Sequence, residues 1–514
     1  MSTQCTASPQ PPSPRARGEG RGEGWWKAAL TLSVLLVATS CAKGLVYSKP
    51  APAQPVPESF KEADGWKSAA PSDQAMKGTW WESFGDPALN DLEAQVNVSN
   101  ENLKSADARF RQARALIRVN RAGLYPTITT SPSIARERQS ANRPGGTGTS
   151  HAAGDFTLPV DLSYELDVWG RVRGTVAAAR AAAQASAADL ETVRLSLHAE
   201  LALDYFQLRA LDAQQQLLND TVTAYQRALE LTQNRYKGGI ASGAEVAQAQ
   251  TQLETTRAQA IEIGLDRAQF EHAIAVLVGQ VPERFTLAAV PLGAMPPAVP
   301  AALPSQLLER RSDIAAAERR VAEANAQIGV ARTAFFPTLL FNAGLGFEAT
   351  SIGDWFAWPS RFWSLGPAAV QTLLDGGKRR AVSDAAQANY DATVADYRET
   401  VLGAFQQVED NLAALRILAQ EAETQRAAVE AAQRSVELST NRYKGGLATY
   451  LEVVTAQSIA LNNQRTAVGL LERRMTSTVL LIKALGGGWD VSQLPSLAGS
   501  GVGYPATSTP TSTH

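Results

Sequence analysis

The segment NRYKGG occurs at Asn234–Gly239 and again at Asn441–Gly446, 207 residues later in the chain. Over the twenty residues that begin at Leu231 and at Leu438, twelve are identical, far more than unrelated sequences share. This agreement indicates an internal duplication. A duplication constrains the whole fold, because each copy is expected to build the same supersecondary unit.

Weaker sequence similarities at nearly the same offset indicate the limits of the two copies. LYPT at 124–127 recurs as FFPT at 335–338, and WGRVR at 169–173 aligns with GGKRR at 376–380. Each copy therefore carries a helix, two strands and a long helical hairpin in the same order. The predicted divisions are a first repeat at 87–280, a Pro-rich connector at 281–303, a second repeat at 304–486 and a disordered tail at 487–514.

Apolar residues in each copy follow the spacing of a coiled coil. They recur in steps of three and four, or sums of those steps, from Leu190 to Leu229 and from Val394 to Leu415. Residues 170–237 contain no proline, so a continuous helix there would be about 100 Å long at ~1.5 Å per residue. The consecutive glycines of each NRYKGG are expected to supply the left-handed backbone of a helix stop, and so to form the tip of a hairpin.

Strand patterns lie between the helices. Residues 155–167 alternate, with Phe156 and Leu158 on one face and Thr157 and Asp161 on the other. A soluble sandwich gives the same alternation, but in a secreted chain it also suits a membrane barrel with lipid outside and water inside. The other predicted strands are 125–136, 335–347 and 362–374.

Four strands per chain cannot close a barrel. Open strand edges in lipid would leave backbone groups unpaired at several kcal/mol each, so a chain that spans the membrane must oligomerise. A trimer would give a twelve-stranded barrel with an aqueous lumen.

The N-terminus has the order of an export signal. Basic residues precede an apolar run at 28–38 and then small residues before Cys41. The region resembles the lipobox of bacterial lipoproteins, although Ala38 stands where the strongest form has leucine. We predict a signal peptide at 1–40, lipid attachment at Cys41 and an extended, lipidated lead at 41–86; a signal peptide with an incidental cysteine is the alternative.

Composition argues against several functional classes. The 48 basic and 50 acidic residues nearly balance, so the composition does not indicate the net positive charge that would attract nucleic acid. The four histidines share no ligand spacing, and GGTG at 145–148 lacks the lysine of a phosphate loop. We therefore predict no catalytic site, no metal site and no cofactor.

The order of elements resembles the TolC and OprM type of outer-membrane efflux factor. The resemblance covers about residues 80–485 and rests mainly on FGDP at 84–87, YELDVWGR at 164–171 and the two NRYKGG segments. It implies a mostly α fold with membrane β structure: a homotrimer with a twelve-stranded barrel in outer-membrane lipid, on a long periplasmic α-helical tunnel. The narrow end of the tunnel would meet a periplasmic adaptor protein and an inner-membrane transporter.

The resemblance also implies a periplasmic gate close to the tips. Glu245 and Glu452, on the returning helices, and Tyr443 match residues of that constriction. Thr455 stands where a second acidic residue is usual, and Ala448 replaces a basic residue that clamps the closed state in some members. The gate is therefore expected to be looser, or held mainly by packing of Leu451 and Tyr443.

The duplicated basic residues around each bare turn suggest contact with a partner. The tips predicted to dock the adaptor are Lys237, Gly238 and Gly239 in the first copy, and Lys444, Gly445 and Gly446 in the second. Their identity predicts that the tips are chemically alike. The residues just past them differ, with Gly243 and Ala244 replaced by the bulkier Tyr450 and Leu451, so the gate is placed at the second copy.

Two classes of function follow from the sequence. The favoured one is a passive exit duct in the outer membrane of a Gram-negative bacterium, serving a tripartite pump for drugs or other small solutes. An outer-membrane component of type I protein secretion is a variant of that duct. The competing class is a structural coiled-coil lipoprotein of the periplasm without a pore.

Overall fold

The computed structural model describes residues 47–57, 59–63, 78–138, 140, 142, 152–293, 295–297, 299 and 308–497. The predicted signal peptide, Cys41 and residues 498–514 lie outside the described residues. Residues 487–497, which the sequence assigned to the disordered tail, are packed instead. Trp489 is buried in a cluster with Ala188, Ala315 and Ala316, and Gln184 donates a hydrogen bond to the carbonyl of Pro495 at 3.3 Å.

Seven α-helices of 13 residues or more lie in the described part of the chain. Three helices of the first repeat match three of the second in length, at 22, 67 and 35 residues, as expected of a duplicated unit. The helices are α1 (Pro87–Ser99), α2 (Glu101–Ala122), α3 (Arg171–Lys237), α4 (Gly243–Leu277), α5 (Ser312–Thr333), α6 (Lys378–Lys444) and α7 (Tyr450–Ala484).

The long helices α3 and α6 are unbroken over their 67 residues, which corresponds to about 100 Å each. The predicted long helix and its seam are thus confirmed: Leu208 and Leu218 of α3 and Val408 and Leu412 of α6 are fully buried. Each long helix turns back into a shorter partner, α4 or α7, and both α2 and α5 pack on α3.

Asp86 caps the start of α1. Its Oδ1 accepts hydrogen bonds from the amides of Ala88 at 3.0 Å and Leu89 at 3.3 Å, with Pro87 in the first turn. The hydroxyl of Tyr205 donates to the other carboxylate oxygen at 2.5 Å, which ties the start of α1 to α3. The largest core surrounds this junction and includes Trp80, Trp81, Phe84, Leu89, Phe206, Ile274 and Val479.

One antiparallel sheet contains all the described strands. They are β1 (Thr127–Thr130), β2 (Ser133–Arg138), β3 (Ala152–Glu165), β4 (Thr338–Ala349) and β5 (Arg361–Val370), in the order β1-β3-β4-β5 with β2 also on β3. Because β1 and β2 keep one register on β3, they are a single strand interrupted at residues 131–132. Pro132 lies in the break and Pro159 opposite it, and neither has an amide hydrogen for the ladder.

The strand bounds differ from the predicted ones by up to four residues. Asp167, predicted to end its strand, accepts hydrogen bonds from the amides of Val172 at 2.9 Å and Arg173 at 2.8 Å, so it belongs to the start of α3. The amides of Phe335 and Phe336 donate hydrogen bonds to carbonyls in the last turn of α5, so β4 begins only at Thr338. At the other end of the sheet, residues 371–374 are exposed and lie beyond β5.

The register gives the sheet two unlike faces. Val160, Leu345 and Trp363 form one row across β3, β4 and β5. In the next row, on the opposite face, Asp161 and Ser364 flank a glycine. Leu345 is 59% exposed and Trp363 is 79% exposed in the single chain, so the apolar face has no cover within the described residues.

The N-terminal lead runs along α6 towards the hairpin turns. Arg398 donates a hydrogen bond to the carbonyl of Ala51 at 3.4 Å, and Arg416 donates to the Glu62 carboxylate at 2.5 Å. Among the described helices, none has both the length and the apolarity that crossing a bilayer requires.

Candidate functional site at the hairpin tips

Each NRYKGG segment closes a helical hairpin. The amide of Ile240 donates to the carbonyl of Arg235 at 2.9 Å, and Leu447 donates to Arg442 at 2.9 Å. These bonds span five residues, as in a Schellman motif, which requires one left-handed residue.

The second glycine of each pair supplies the expected left-handed backbone. Gly239 has φ 75° and Gly446 has φ 73°. Gly238 and Gly445, at φ −80° and −78°, keep a backbone that any residue adopts.

The two tips differ in structure although their six residues are identical. The ring of Tyr236 is 54% exposed, whereas the equivalent Tyr443 is 4% exposed. The difference originates outside the repeated segment, since Tyr450 packs edge-on against Tyr443 with ring centroids 5.3 Å apart. The equivalent of Tyr450 in the first copy is Gly243, which has no side chain to cover Tyr236. The expectation of chemically alike tips therefore fails for this tyrosine.

Tyr443 links the two hairpins of the chain. Its hydroxyl donates to Glu245 Oε2, on α4, at 3.1 Å, and the guanidinium of Arg235 lies 4.7 Å from the centre of its ring. Arg235 also donates to the carbonyl of Lys444 at 3.3 Å. Burial raises the pKa of Tyr443, and the Glu245 carboxylate raises it further. Tyr443 therefore stays a neutral phenol that donates its hydrogen bond to Glu245.

Glu452 and Leu451, the other predicted gate residues, lie on the returning helix α7. Glu452 faces Arg442 of its own hairpin, with an N to O distance of 3.7 Å, and both side chains are about half exposed. Such an exposed pair contributes little, about 0–1 kcal/mol. Leu451 is 57% exposed, so the residue that packs on Tyr443 within the chain is Tyr450, which is 2% exposed, and not Leu451.

The residues predicted to dock a partner are all at the surface. The list comprises Lys237, Gly238, Gly239, Lys444, Gly445 and Gly446. Exposed apolar side chains follow each turn, with Ile240 at 70% and Leu447 at 76%. Each tip therefore presents a cation and an apolar side chain beside bare backbone.

A groove of about 600 Å³ separates α4 from α7 just beyond the tips. Amide side chains such as Gln248, Gln252 and Asn462 line it, with Leu451 at the tip end and Arg465 further along. None of the residues that line it is a carboxylate. The groove is therefore mixed in polarity, and Arg465 is the one charged residue in its lining.

Sequence reasoning missed Arg235 and Arg442. Both arginines are the second residue of NRYKGG, so the repeat itself contained a signal for them. Their partners lie on other helices, however, and only the packing of the hairpins brings Arg235 to Tyr443.

Away from the tips, His198 and Glu93 form a buried pair. His198 Nδ1 lies 2.6 Å from Glu93 Oε2, and Trp81 stacks on the imidazole at 4.4 Å. Burial lowers the pKa of His198 to about 4 and raises that of Glu93 to about 9. Within the described residues no three His, Cys, Asp or Glu side chains are placed to hold a metal ion.

Comparison with known proteins covers nearly the whole of this architecture. A family model described as outer membrane efflux protein matches residues 93–280 and 303–487. The antibiotic efflux pump outer membrane protein ArpC of Pseudomonas putida is 32% identical over 467 residues, which are 90% of this chain and 96% of that protein.

Two further proteins show the same extent of similarity. The pyoverdine export outer membrane protein OpmQ of Pseudomonas aeruginosa is 31% identical over 464 residues, which are 88% of this chain and 96% of OpmQ. The solved structure of the outer-membrane channel OprN superimposes with a TM-score of 0.81 at 28% identity, covering 87% of this chain and all of that one.

Proposed function

Because the chain belongs to the outer membrane efflux protein family, we propose that it is the outer-membrane channel of a tripartite efflux system. It acts as a passive exit duct, while an inner-membrane transporter supplies the energy and a periplasmic adaptor joins the two. ArpC and OpmQ are named for antibiotic efflux and pyoverdine export, which supports drugs or other small solutes as cargo rather than secreted proteins.

The observation that carries this proposal is the sheet, which has one apolar face and two open edges. The interrupted strand β1 and β2 forms one edge and β5 forms the other. In lipid each unpaired backbone group costs several kcal/mol, so these edges must pair with other chains. Three copies with four strand positions each close a twelve-stranded barrel, which is wide enough for an aqueous lumen.

The helices extend this barrel into a tunnel. Each chain contributes two hairpins whose long helices measure about 100 Å, so a trimer has six hairpins around one axis. The apolar seams bury the contact between the helices of each hairpin, and the tips stand at the end away from the sheet. A channel in the outer membrane would thereby reach far across the periplasm.

The tips provide the gate and the adaptor contact in this proposal. Tyr443 bonded to Glu245 holds the two hairpins of one chain together, and Glu452 and Leu451 lie beside them on α7. Separating the hairpins would break the Tyr443 contact and open the narrow end. Lys237 and Lys444, exposed on either side of this contact, are proposed to meet the adaptor.

Lipid attachment at Cys41 is the remaining element of the proposal. The lead begins at Tyr47 in the described structure and is held beside α5 and α6, where the Tyr47 hydroxyl donates to Glu318. The hydrocarbon chain on Cys41 would add an anchor to the membrane next to the barrel.

Conductance tests the proposal directly. Purified trimer is expected to conduct in planar bilayers and to run as a heat-modifiable oligomer in detergent, and Glu452→Lys should change the current. A deletion strain screened with dyes, detergents, antibiotics and metals would identify the cargo. Well-folded protein without any conductance, with trypsin sensitivity along the whole of α3, would instead support a periplasmic spacer.

A further inference from the structure

The strands separate their charged side chains by sign. Eight charged residues lie in the five described strands, and the register assigns each to a face. The five carboxylates share the polar face with Asp161, whereas the three arginines share the apolar face with Leu345. The carboxylates are Glu137, Asp155, Asp161, Glu165 and Glu348, and the arginines are Arg136, Arg138 and Arg361.

The three arginines lie at the end of the sheet away from the helices. Arg136 stands opposite Gly154, one row beyond the row of Phe156, whereas Arg361, the first residue of β5, stands in the row of Leu158, one row inside it. The apolar rows of β3 from Tyr164 to Phe156 span eight residue steps, about 27 Å along the strand and roughly 20 Å in height at a tilt of ~40°. The arginines therefore fall near the boundary of the hydrocarbon layer, on the side that faces lipid.

Aromatic side chains accompany these cations. The guanidinium of Arg361 lies over the ring of Trp358, which is 76% exposed, and its Nε donates to the Trp358 carbonyl at 3.0 Å. Trp355 and Phe356 stack beside them with ring centroids 5.1 Å apart. In the same turn the carboxylate of Asp354 accepts a hydrogen bond from Ser351 at 2.7 Å. Tryptophan rings suit the interface between hydrocarbon and headgroups, where a nearby cation meets phosphate.

Closing the barrel changes the position of the two strand edges. β5 is one edge of the sheet and β1 with β2 is the other, so each seam of a trimer pairs β5 of one copy with β2 of the next. Adjacent strands are about 4.8 Å apart. Arg361 of one copy and Arg136 of the next would then stand on neighbouring strands, both on the lipid side.

We propose that each of these seams binds the phosphates of a lipid A type glycolipid in the outer leaflet. This inference rests on the proposed function, because it requires the trimeric barrel in an outer membrane. A headgroup with two phosphates on one rigid saccharide complements two arginines that no carboxylate of the described strands accompanies on that face. Its acyl chains would cover the apolar rows below, and the bound lipid would bridge two copies of the chain.

The test uses detergent-solubilised full-length trimer and purified bisphosphorylated lipid A. Native mass spectrometry should show up to three bound molecules per trimer, and binding should raise the temperature at which the trimer dissociates. The double variant Arg136→Gln and Arg361→Gln should bind about 30-fold more weakly, because it removes two cations that attract the anionic lipid. Arg227→Gln, which removes an exposed arginine of α3 far along the chain from the strands, should bind as the wild type does.

Two results would overturn the proposal. One is equal binding by the double variant, and the other is equal stabilisation by phosphatidylglycerol or by lipid A stripped of its phosphates. The comparison of lipids uses wild-type trimer alone, so it decides the matter even if the double variant does not fold. A trimer that conducts but ignores lipid A refutes this inference and leaves the proposed channel intact, whereas a chain that neither trimerises nor conducts refutes the channel itself.

Discussion

Replacing Tyr443 by phenylalanine removes one hydroxyl from the contact that joins the two hairpins of the chain. The ring would remain, with Arg235 on its face and Tyr450 at its edge, whereas the hydrogen bond to Glu245 at 3.1 Å is lost. If opening of the narrow end separates the hairpins, the variant should open more easily. The matched control is Tyr236→Phe, the same change in the same six-residue segment, at a ring that is 54% exposed.

The size of the effect follows from the burial of the two partners. A hydrogen bond to a charged group contributes about 1.5–3 kcal/mol when it is shielded from water. Because Glu245 is only partly buried, water competes for its carboxylate. We therefore expect the bond to contribute about 1 kcal/mol. One kcal/mol changes the ratio of open to closed tips about fivefold.

Single-channel recording in planar bilayers measures that ratio. Tyr443→Phe should raise the ratio of open to closed channels about fivefold, and Tyr236→Phe should leave it unchanged. Glu245→Gln should give a similar rise, and the double variant should add little, because both changes remove the same bond. Fully additive effects of the two variants, or an equal effect of Tyr236→Phe, would refute the assigned contact.

Two further predictions concern the turn and the buried pair. Gly446→Ala, at φ 73°, should destabilise the tip by about 1–2 kcal/mol, whereas Gly445→Ala, at φ −78°, should be nearly neutral; limited proteolysis at the tips measures both, and equal sensitivity of the two variants contradicts the turn geometry. The pair of Glu93 and His198 should make stability fall above pH 6.5. Because folding raises the pKa of Glu93, the folded protein loses stability as pH rises from 4.5 to about 9. Because folding lowers the pKa of His198, the folded protein loses stability as pH falls from 6.5 to about 4. The two effects oppose each other only between pH 4.5 and 6.5. Helix melting followed by circular dichroism should thus show a loss of up to about 1.4 kcal/mol per unit above pH 6.5, and a Glu93→Gln variant with the same slope would contradict this origin.

Sequence periodicity predicted the helices because their signals are local. The seam of α3, the cap at Asp86 and the positions of both hairpin turns depend on residues within a few turns of one another. The break in the first strand could not be predicted in this way. It depends on Pro132 and Pro159 lying diagonally across from each other on paired strands, and only the register reveals that they do.

The contacts at the tips were beyond sequence reasoning for the same physical reason. Arg235 and Tyr443 are separated by more than 200 residues, and nothing in either NRYKGG segment says which face of one hairpin meets the other. Gate residues assigned by resemblance included Tyr443 and Glu245, which do meet, and Leu451, which within the chain packs less than Tyr450.

An identical six-residue segment thus has two structural roles in one chain. The segment itself determines the turn, since Gly239 and Gly446 provide the same left-handed residue and the same hydrogen bonds form around both. What happens to the tyrosine is determined seven residues later. Tyr450 encloses Tyr443, whereas Gly243 leaves Tyr236 in solvent. A Cβ added at Gly243 would lie in van der Waals contact with the ring of Tyr236, at 3.8 Å. A bulky residue introduced at 243 would therefore be expected to bury Tyr236 and make the two tips alike.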